Sequence, residues 1–318
     1  MGNKTGFPNL DKYYRFKDGQ LDMVLGHDNA GKSVVSWYFS VLDCLFNNEC
    51  YIIFAGENKT GSVKVKLMEF YLGKLVVDMN NREVEMAKNW VNNHYALVRN
   101  DEVFNYQDMI NIGRKMLKKK KYTKFIIEPY NVLDKKTTNE HQYDYKAMLE
   151  LRMFIRQTGI GVLLNVHAAT EALRRVYPKE HDLKGFTMPP NKADAEGGGK
   201  FPNKADNFLV IHRMADHPSE WMWTEIHIQK IKEVETGGQR TFKEQPFKIR
   251  MIKDGCGFQD QSYFDPIANY WQQLSKQTEL LPTEKSAVSS PNTDFSREVK
   301  RISESKYTEL GEEDINVY

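Results

Sequence analysis

Eight residues, Gly26-His27-Asp28-Asn29-Ala30-Gly31-Lys32-Ser33, stand between an apolar run at 21–25 and helically spaced apolar residues at 32–46. The octapeptide satisfies G-x-x-x-x-G-K-[ST] without a mismatch, and no other segment restricts the fold as strongly. Its glycines let the backbone curl so that successive N–H groups point at an anion. The helix that follows adds the positive end of its dipole. In such a loop the lysine reaches the outer phosphates of a nucleotide and the serine hydroxyl completes a magnesium shell. The segment therefore predicts a strand, a phosphate loop and a helix that bind ATP with Mg2+. The contacts come from Gly26, Asp28, Asn29, Ala30, Gly31, Lys32, Ser33 and Val34, with Ser33 also on the metal. The competing reading, a glycine-rich turn with an incidental Lys-Ser, leaves the flanking strand and helix without a reason.

The rest of the body alternates short apolar runs with longer amphipathic stretches, which is the signature of βα units around a mostly parallel sheet. Strands are expected at 21–25, 51–55, 95–98, 124–127 and 162–166, and helices at 63–72, 83–93, 106–121 and 143–157. Residues 168–204 are polar, carry Gly197-Gly198-Gly199, and read as a long loop of the kind that is usually functional or mobile. Three further strands, at 208–211, 226–231 and 247–252, follow without intervening helices and predict an antiparallel extension of the sheet.

Charge is unevenly distributed along the 318 residues. The net formal charge is +2, but residues 279–318 hold nine acidic and five basic side chains. That stretch is rich in Ser, Thr, Glu and Lys and has little to bury, apart from a short helix expected near 295–302. The predicted organisation is a short N-terminal extension (1–20), one ATPase domain (21–274) and a flexible acidic tail (275–318). Mean hydropathy of −0.63 argues against a membrane span. The polar N-terminus lacks the pattern of a secretory signal. Cys44, Cys50 and Cys256 have no metal-like spacing and read as reduced thiols, so the expected location is the cytoplasm of a bacterial or infected host cell. His212 and His217, without matched Cys or carboxylate spacing, read as structural and not as metal ligands.

Three strand ends carry further candidates. The second strand runs into Glu57, placed to orient a water against a terminal phosphate. The run Phe125-Ile126-Ile127-Glu128 has the shape of a Walker B strand ending in an acid that supports magnesium. A later strand ends at His167, where a polar side chain can sense the terminal phosphate and pass its state to the loop that follows.

Taken in order, GHDNAGKS, FAGEN, FIIEPYN, LLNVHAAT, GGGKFPNKADNFLVIHR and IHIQKIKEVETGG resemble the RecA-like ATPase domain of the DnaB/Twinkle-type ring helicases. Within that superfamily they are most like the Twinkle-like phage primase-helicases, and the resemblance covers residues 21–258. It implies a RecA-like P-loop NTPase core with a mostly parallel central sheet and a C-terminal antiparallel extension. It also implies a homo-oligomer, either a ring such as a hexamer or a filament, with sites between subunits. By the resemblance Glu57 matches the catalytic glutamate, Glu128 the Walker B acid and His167 the sensor. Lys230 and Lys232 would face a neighbour's terminal phosphate.

The chain departs from the family in three ways. Glu128 stands where the family has Asp, and Lys232 stands at the arginine-finger position without the planar fork of an arginine. Arg240 and Arg250 are the substitutes within reach in sequence. Only about 20 residues precede the first strand, so no N-terminal collar is expected.

Lys192, Lys200 and Lys204 flank the glycine-rich segment that the family points at DNA, with Lys135 and Lys136 as a first loop. Lysines on mobile backbone track single-stranded phosphates without reading sequence. Arg114, Lys115 and 118–121 read instead as a solvated helix end. The acidic tail resembles those with which phage replication proteins dock partners. The expected function is an ATP-dependent DNA helicase-type motor on single-stranded DNA in replication. The alternatives are a RecA-like recombination or annealing ATPase without unwinding, and a non-catalytic nucleotide-dependent assembly protein.

Overall fold

A computed structural model describes residues 2–135 and 139–279. Lys136, the acidic tail beyond 279 and the helix expected near 295–302 lie outside the described residues. In chain order the elements are β1 (Leu21–Gly26), α1 (Lys32–Asn47), β2 (Tyr51–Ala55), α2 (Thr60–Leu72), α3 (Asn81–His94), β3 (Tyr95–Val98), α4 (Tyr106–Leu117) and β4 (Lys124–Glu128). They continue with α5 (Glu140–Thr158), β5 (Gly161–His167), α6 (Lys200–Lys204), β6 (Asn207–His212), β7 (Trp223–Lys230), α7 (Val234–Gly237), β8 (Phe247–Met251), β9 (Phe258–Asp260) and α8 (Pro266–Glu279). None of the described helices is long and apolar enough to cross a membrane.

The strands form one sheet of nine in the order β3-β2-β4-β5-β1-β6-β7-β8-β9. Pairing is parallel from β3 through β6 and antiparallel from β6 through β9, as the run of three helix-free strands predicts. β1 lies between β5 and β6, while its successor β2 lies beyond β5 and β4. The connection leaving β1 therefore runs one way across the sheet, and that leaving its neighbour β5 runs the other way, to β6. Crevices for ligands open at the carboxyl ends of strands beside such a divergence.

Alternation along the strands divides the core in two. Val24, Tyr51, Ile53, Leu209 and Ile211 point into a cluster with α1, α2 and α3. Leu21, Met23, Leu25, Ile52, Phe54, Phe208 and Val210 point into the other, with α4, α5 and α6. Asn80 with Glu83 and Asn105 with Asp108 close capping boxes that start α3 and α4.

Several boundaries differ from expectation for local reasons. α4 stops at Leu117, because the four lysines at 118–121 bury no apolar surface and the chain turns back on Met116 to reach β4. The long polar segment after β5 is more ordered than its composition suggests. Val176 pairs with Thr187, Ala168 pairs with Ala195, and Ala172, Tyr177, Ala195 and Phe201 are buried. β9 has only three residues, too few to announce itself by pattern. α8 runs on to Glu279, past the expected domain end at 274.

The N-terminal residues are part of the body. Phe7, Leu10, Tyr14 and Phe16 are buried in the α1–α3 cluster, and Phe7 meets Phe247 edge-on at 5.5 Å. Truncating Phe7 leaves a cavity among Tyr38, Phe39 and Phe247. Phe7→Ala is expected to cost about 3–5 kcal/mol in chemical denaturation, a loss that a dangling extension would not show.

Candidate functional site

The loop after β1 is built around two glycines that no other residue replaces. A Cβ on Gly26 would lie 2.6 Å from the Ile211 carbonyl oxygen of β6, and Gly31 caps α1 at φ 88°. The loop turns back on itself through the Ala30 amide, which donates to the His27 carbonyl. Lys32 is buried, and its Nζ donates to the Gly26 and His27 carbonyls, each at 2.9 Å. Burial lowers the pKa of this ammonium against the opposing pull of Asp28, Glu57 and Glu128.

Three strand ends face the loop. Glu57 follows β2 and is 55% exposed, Glu128 ends β4 and is fully buried, and His167 ends β5 directly beside Gly26. Glu57 and His167, with Asp28, Asn29, Ala30, Gly31, Ser33, Val34, Trp37 and Asn165, surround a cleft of about 610 Å³. Glu128 lies buried behind it, bonded to the lining residue Asn165. The outer wall of the cleft is Arg213, Met222, Thr224, Met251 and Phe258. The apolar part of this wall, Met222, Met251 and Phe258, suits the flat base of a nucleotide.

Glu128 is the electrostatic centre of the floor. Its Oε2 accepts from the Asn165 amide at 2.8 Å, and Asn165 Oδ1 in turn accepts from Ser36 at 3.0 Å. Burial pushes its pKa up to about 8, against the Ser33 hydroxyl, the Trp37 indole and Asn165, which pull it down. Its Oε1 has no hydrogen-bond partner among the described residues. An orphaned carboxylate oxygen facing the Ser33 hydroxyl is what a hard, oxygen-seeking divalent cation requires, so these residues fit magnesium.

His167 spans the mouth. Its Nδ1 lies 2.6 Å from Asp28 Oδ1, a carboxylate oxygen that only accepts, so Nδ1 carries the hydrogen. Its Nε2 lies 4.0 Å from Glu57 Oε1. Behind it, the His167 amide donates to Asn131 Oδ1, and the Asn131 side chain donates to Glu196. The Glu196 amide closes the circuit on the His167 carbonyl. The strand end and the loop after it are thus tied together by one asparagine.

The sequence candidates Lys32, Ser33, Glu57 and His167 converge on one cleft with Glu128 buried behind it, whereas the lysines assigned to nucleic acid do not behave alike. Lys200 corrects its expectation: it lies in α6 with its ammonium buried 2.9 Å from Asp144, because Asp144 is itself buried and needs a cation. Lys135 turns to Glu140 and to the same Asp144. Lys192 is exposed, and Lys204 lies over the Tyr145 ring. Lys232 pairs with Asp206 at 2.9 Å, and Asp206 accepts from the Leu21 amide at the opposite end of β1 from the loop. Lys232 is therefore absent from its own chain's cleft. Arg250 packs against Tyr263 and Trp223.

Sequence reasoning missed several contributors. Asn165, a polar residue inside the apolar run LLNVH, is the one a reader of the sequence had a signal for. His27 and His212 are buried side by side, ring centroids 6.4 Å apart, under the carbonyls of Met188 and Thr187. Burial lowers both imidazole pKa values, that of His212 to about 4, so both are neutral at neutral pH.

No family model matches the chain. A Twinkle homolog protein, chloroplastic/mitochondrial, from Arabidopsis thaliana is 26% identical over 234 residues, 68% of this chain and 31% of that protein. A DnaB-like replicative helicase, solved to show its interactions with primase, superposes with a TM-score of 0.64 at 14% identity, covering 81% of this chain and 61% of its own. The chain has the RecA-like fold of DnaB-type ATPase domains. A second solved structure, of an ATPase domain by itself, gives the same TM-score of 0.64 at 13% identity, over 81% of this chain and 90% of that one. A KaiC-like protein of Pyrococcus horikoshii OT3 gives 0.56 at 13% identity, over 80% and 97%. The chain spans about a third of the length of the Twinkle homolog.

The raised Glu128 pKa has a consequence for the metal-free protein. The folded chain holds this proton up to about pH 8, whereas an unfolded glutamate releases it near 4.5. Its contribution to stability is therefore full below pH 4.5 and declines as pH rises to 8. Glu128→Gln removes that loss. Without magnesium, the melting temperature of the variant is expected to exceed wild type most at pH 8 and to match it near pH 4.

Proposed function

We propose that the chain is a magnesium-dependent ATPase of the replicative-helicase type that acts on single-stranded DNA as a homo-oligomer. The observation that carries this reading is the meeting of Lys32, Ser33, Glu57 and His167 in one cleft, with Glu128 buried behind it on Asn165, where the connections of the sheet diverge. The likeness to a Twinkle homolog and to DnaB-like ATPase domains favours a motor over an annealing factor or a non-catalytic assembly protein.

In this reading the loop amides from Gly26 to Val34 and the Lys32 ammonium hold the phosphate chain. Magnesium, when bound, neutralises charge on the outer phosphates. Ser33 and Glu128 are the residues that would hold it. Glu57, exposed after the strand end, accepts a hydrogen bond from the attacking water and takes its proton as the water oxygen bonds to the terminal phosphorus, while the bond from that phosphorus to the bridging oxygen breaks and ADP leaves with the electron pair. His167 meets the terminal phosphate, and its amide link through Asn131 to Glu196 carries the change to the loop of residues 168–204. Lys192 and Lys204 remain on that loop as phosphate contacts for a single strand. Lys232, a strand length from its own loop, completes the cleft of a neighbouring copy.

ATP turnover measured with and without single-stranded DNA tests this. Wild type should hydrolyse ATP with magnesium and be stimulated by DNA. Lys32→Ala should lose about 100-fold or more, a range typical of removing one preorganised stabiliser. Glu57→Gln should bind nucleotide with wild-type affinity and lose a similar factor in kcat. Turnover that DNA does not stimulate overturns the motor, and wild-type kcat in Glu57→Gln overturns the assignment of the base. Unwinding of a forked duplex then separates a helicase from a recombination factor.

A further inference from the structure

A cleft made to receive phosphates carries a carboxylate inside its own loop. Asp28 is the third residue of the octapeptide, and its side chain is 77% exposed at the mouth. It accepts the His167 Nδ1 hydrogen at 2.6 Å, on the side of the imidazole away from Glu57. His167 is the anchored member of the row, held by β5 and by the bond from its amide to Asn131, whereas Glu57 sits on the turn after β2. Asp28 lies on an exposed turn next to Asn29, whose φ is 59°. Asp28 can therefore swing away from His167 without breaking a strand.

We propose that Asp28 is a specificity-determining residue that makes the site discriminate between nucleoside triphosphate and diphosphate. Its carboxylate occupies His167 in the nucleotide-free protein, and a terminal phosphate must take the imidazole from it. The inference rests on the nucleotide reading of the cleft. Carboxylate and phosphate are both anionic acceptors for the same N–H, and like charges brought together at one site oppose each other. A diphosphate, held by the loop amides and Lys32, lacks the terminal group that competes for His167. The penalty therefore falls on the triphosphate alone. Displaced, Asp28 leaves His167 on the phosphate, so the Asn131–Glu196 tether reports a triphosphate and not merely an occupied loop.

Calorimetric binding of a non-hydrolysable ATP analogue and of ADP, each with magnesium, tests this in wild type, Asp28→Asn and Asp28→Ala. Both variants should bind the analogue about threefold to fivefold more tightly, the upper end of the scale for removing one exposed charge. Binding of ADP should stay within about twofold. The ratio of the two affinities is the readout, because a merely structural role would move both together. Unchanged or weaker analogue binding, or a parallel shift of both nucleotides, overturns the role of Asp28 and leaves the nucleotide site standing. A wild-type protein that binds neither nucleotide overturns the underlying reading, and this one with it. Asp28 is exposed, so both variants should melt within a few degrees of wild type.

Discussion

An acid buried under the phosphate loop is the constraint from which the rest of the site follows. A carboxyl taken out of water needs hydrogen-bond partners or a nearby cation, because desolvation outweighs what one neutral hydrogen bond returns. Glu128 draws Asn165 from β5, and Ser33 and Trp37 from α1, with Lys32 above it. Those groups reach one carboxyl only if β4, β5 and β1 are neighbours in that order and α1 starts directly over them. The strand order and the loop glycines are therefore two views of one requirement. Asp28, Glu57 and Glu128 together face Lys32 and Arg213. That balance favours a polyphosphate accompanied by a divalent cation over a bare one.

How far this was legible in the sequence depends on the range of each interaction. The β1–loop–α1 unit is local, so eight consecutive residues announce it. Glu57, Glu128 and His167 are distant from it in sequence, yet each closes an apolar run, and a parallel sheet places such ends along one edge. The ion pairs left no such trace. Lys200 and Lys135 read as loop lysines until α5 brings a buried Asp144 against them. Nothing in the spacing of GGGKFPNKAD says that one lysine is buried on a carboxylate and the next half-buried over an aromatic ring. His27 and His212 are 185 residues apart in the chain and meet only because β6 pairs with β1.

The two polar circuits beside the cleft point the same way. In one, Asn131 joins the His167 backbone to Glu196. In the other, Tyr130, two residues after Glu128, donates to Asp144, which also holds Lys200 at the start of α6. Both circuits begin at the end of a strand that lines the cleft and end in the loop of residues 168–204. Each strand end is joined to that loop by hydrogen-bonded side chains, and in the second circuit also by the buried edge-on contact of Tyr130 with Phe201. This is why the burial of Lys200 does not weaken the link between site and loop: the lysine lost as a phosphate contact serves as the anchor of the segment that bears Lys192 and Lys204.

Lys232 sets the scale on which the site is completed. β7 runs antiparallel to β6, so its last residues lie at the start of β6 and of β1. β1 is six residues long, and at about 3.3 Å per residue its two ends are separated by about 17 to 20 Å. A lysine at one end cannot touch a phosphate at the other. Asp206, its present partner, also accepts from the Leu21 amide and from Arg152, so it stays satisfied when Lys232 leaves. On the proposed reading, this half-exposed cation, held by a partner that can release it, serves the cleft of a second copy. The same separation that disqualifies Lys232 from its own site supports the shared one.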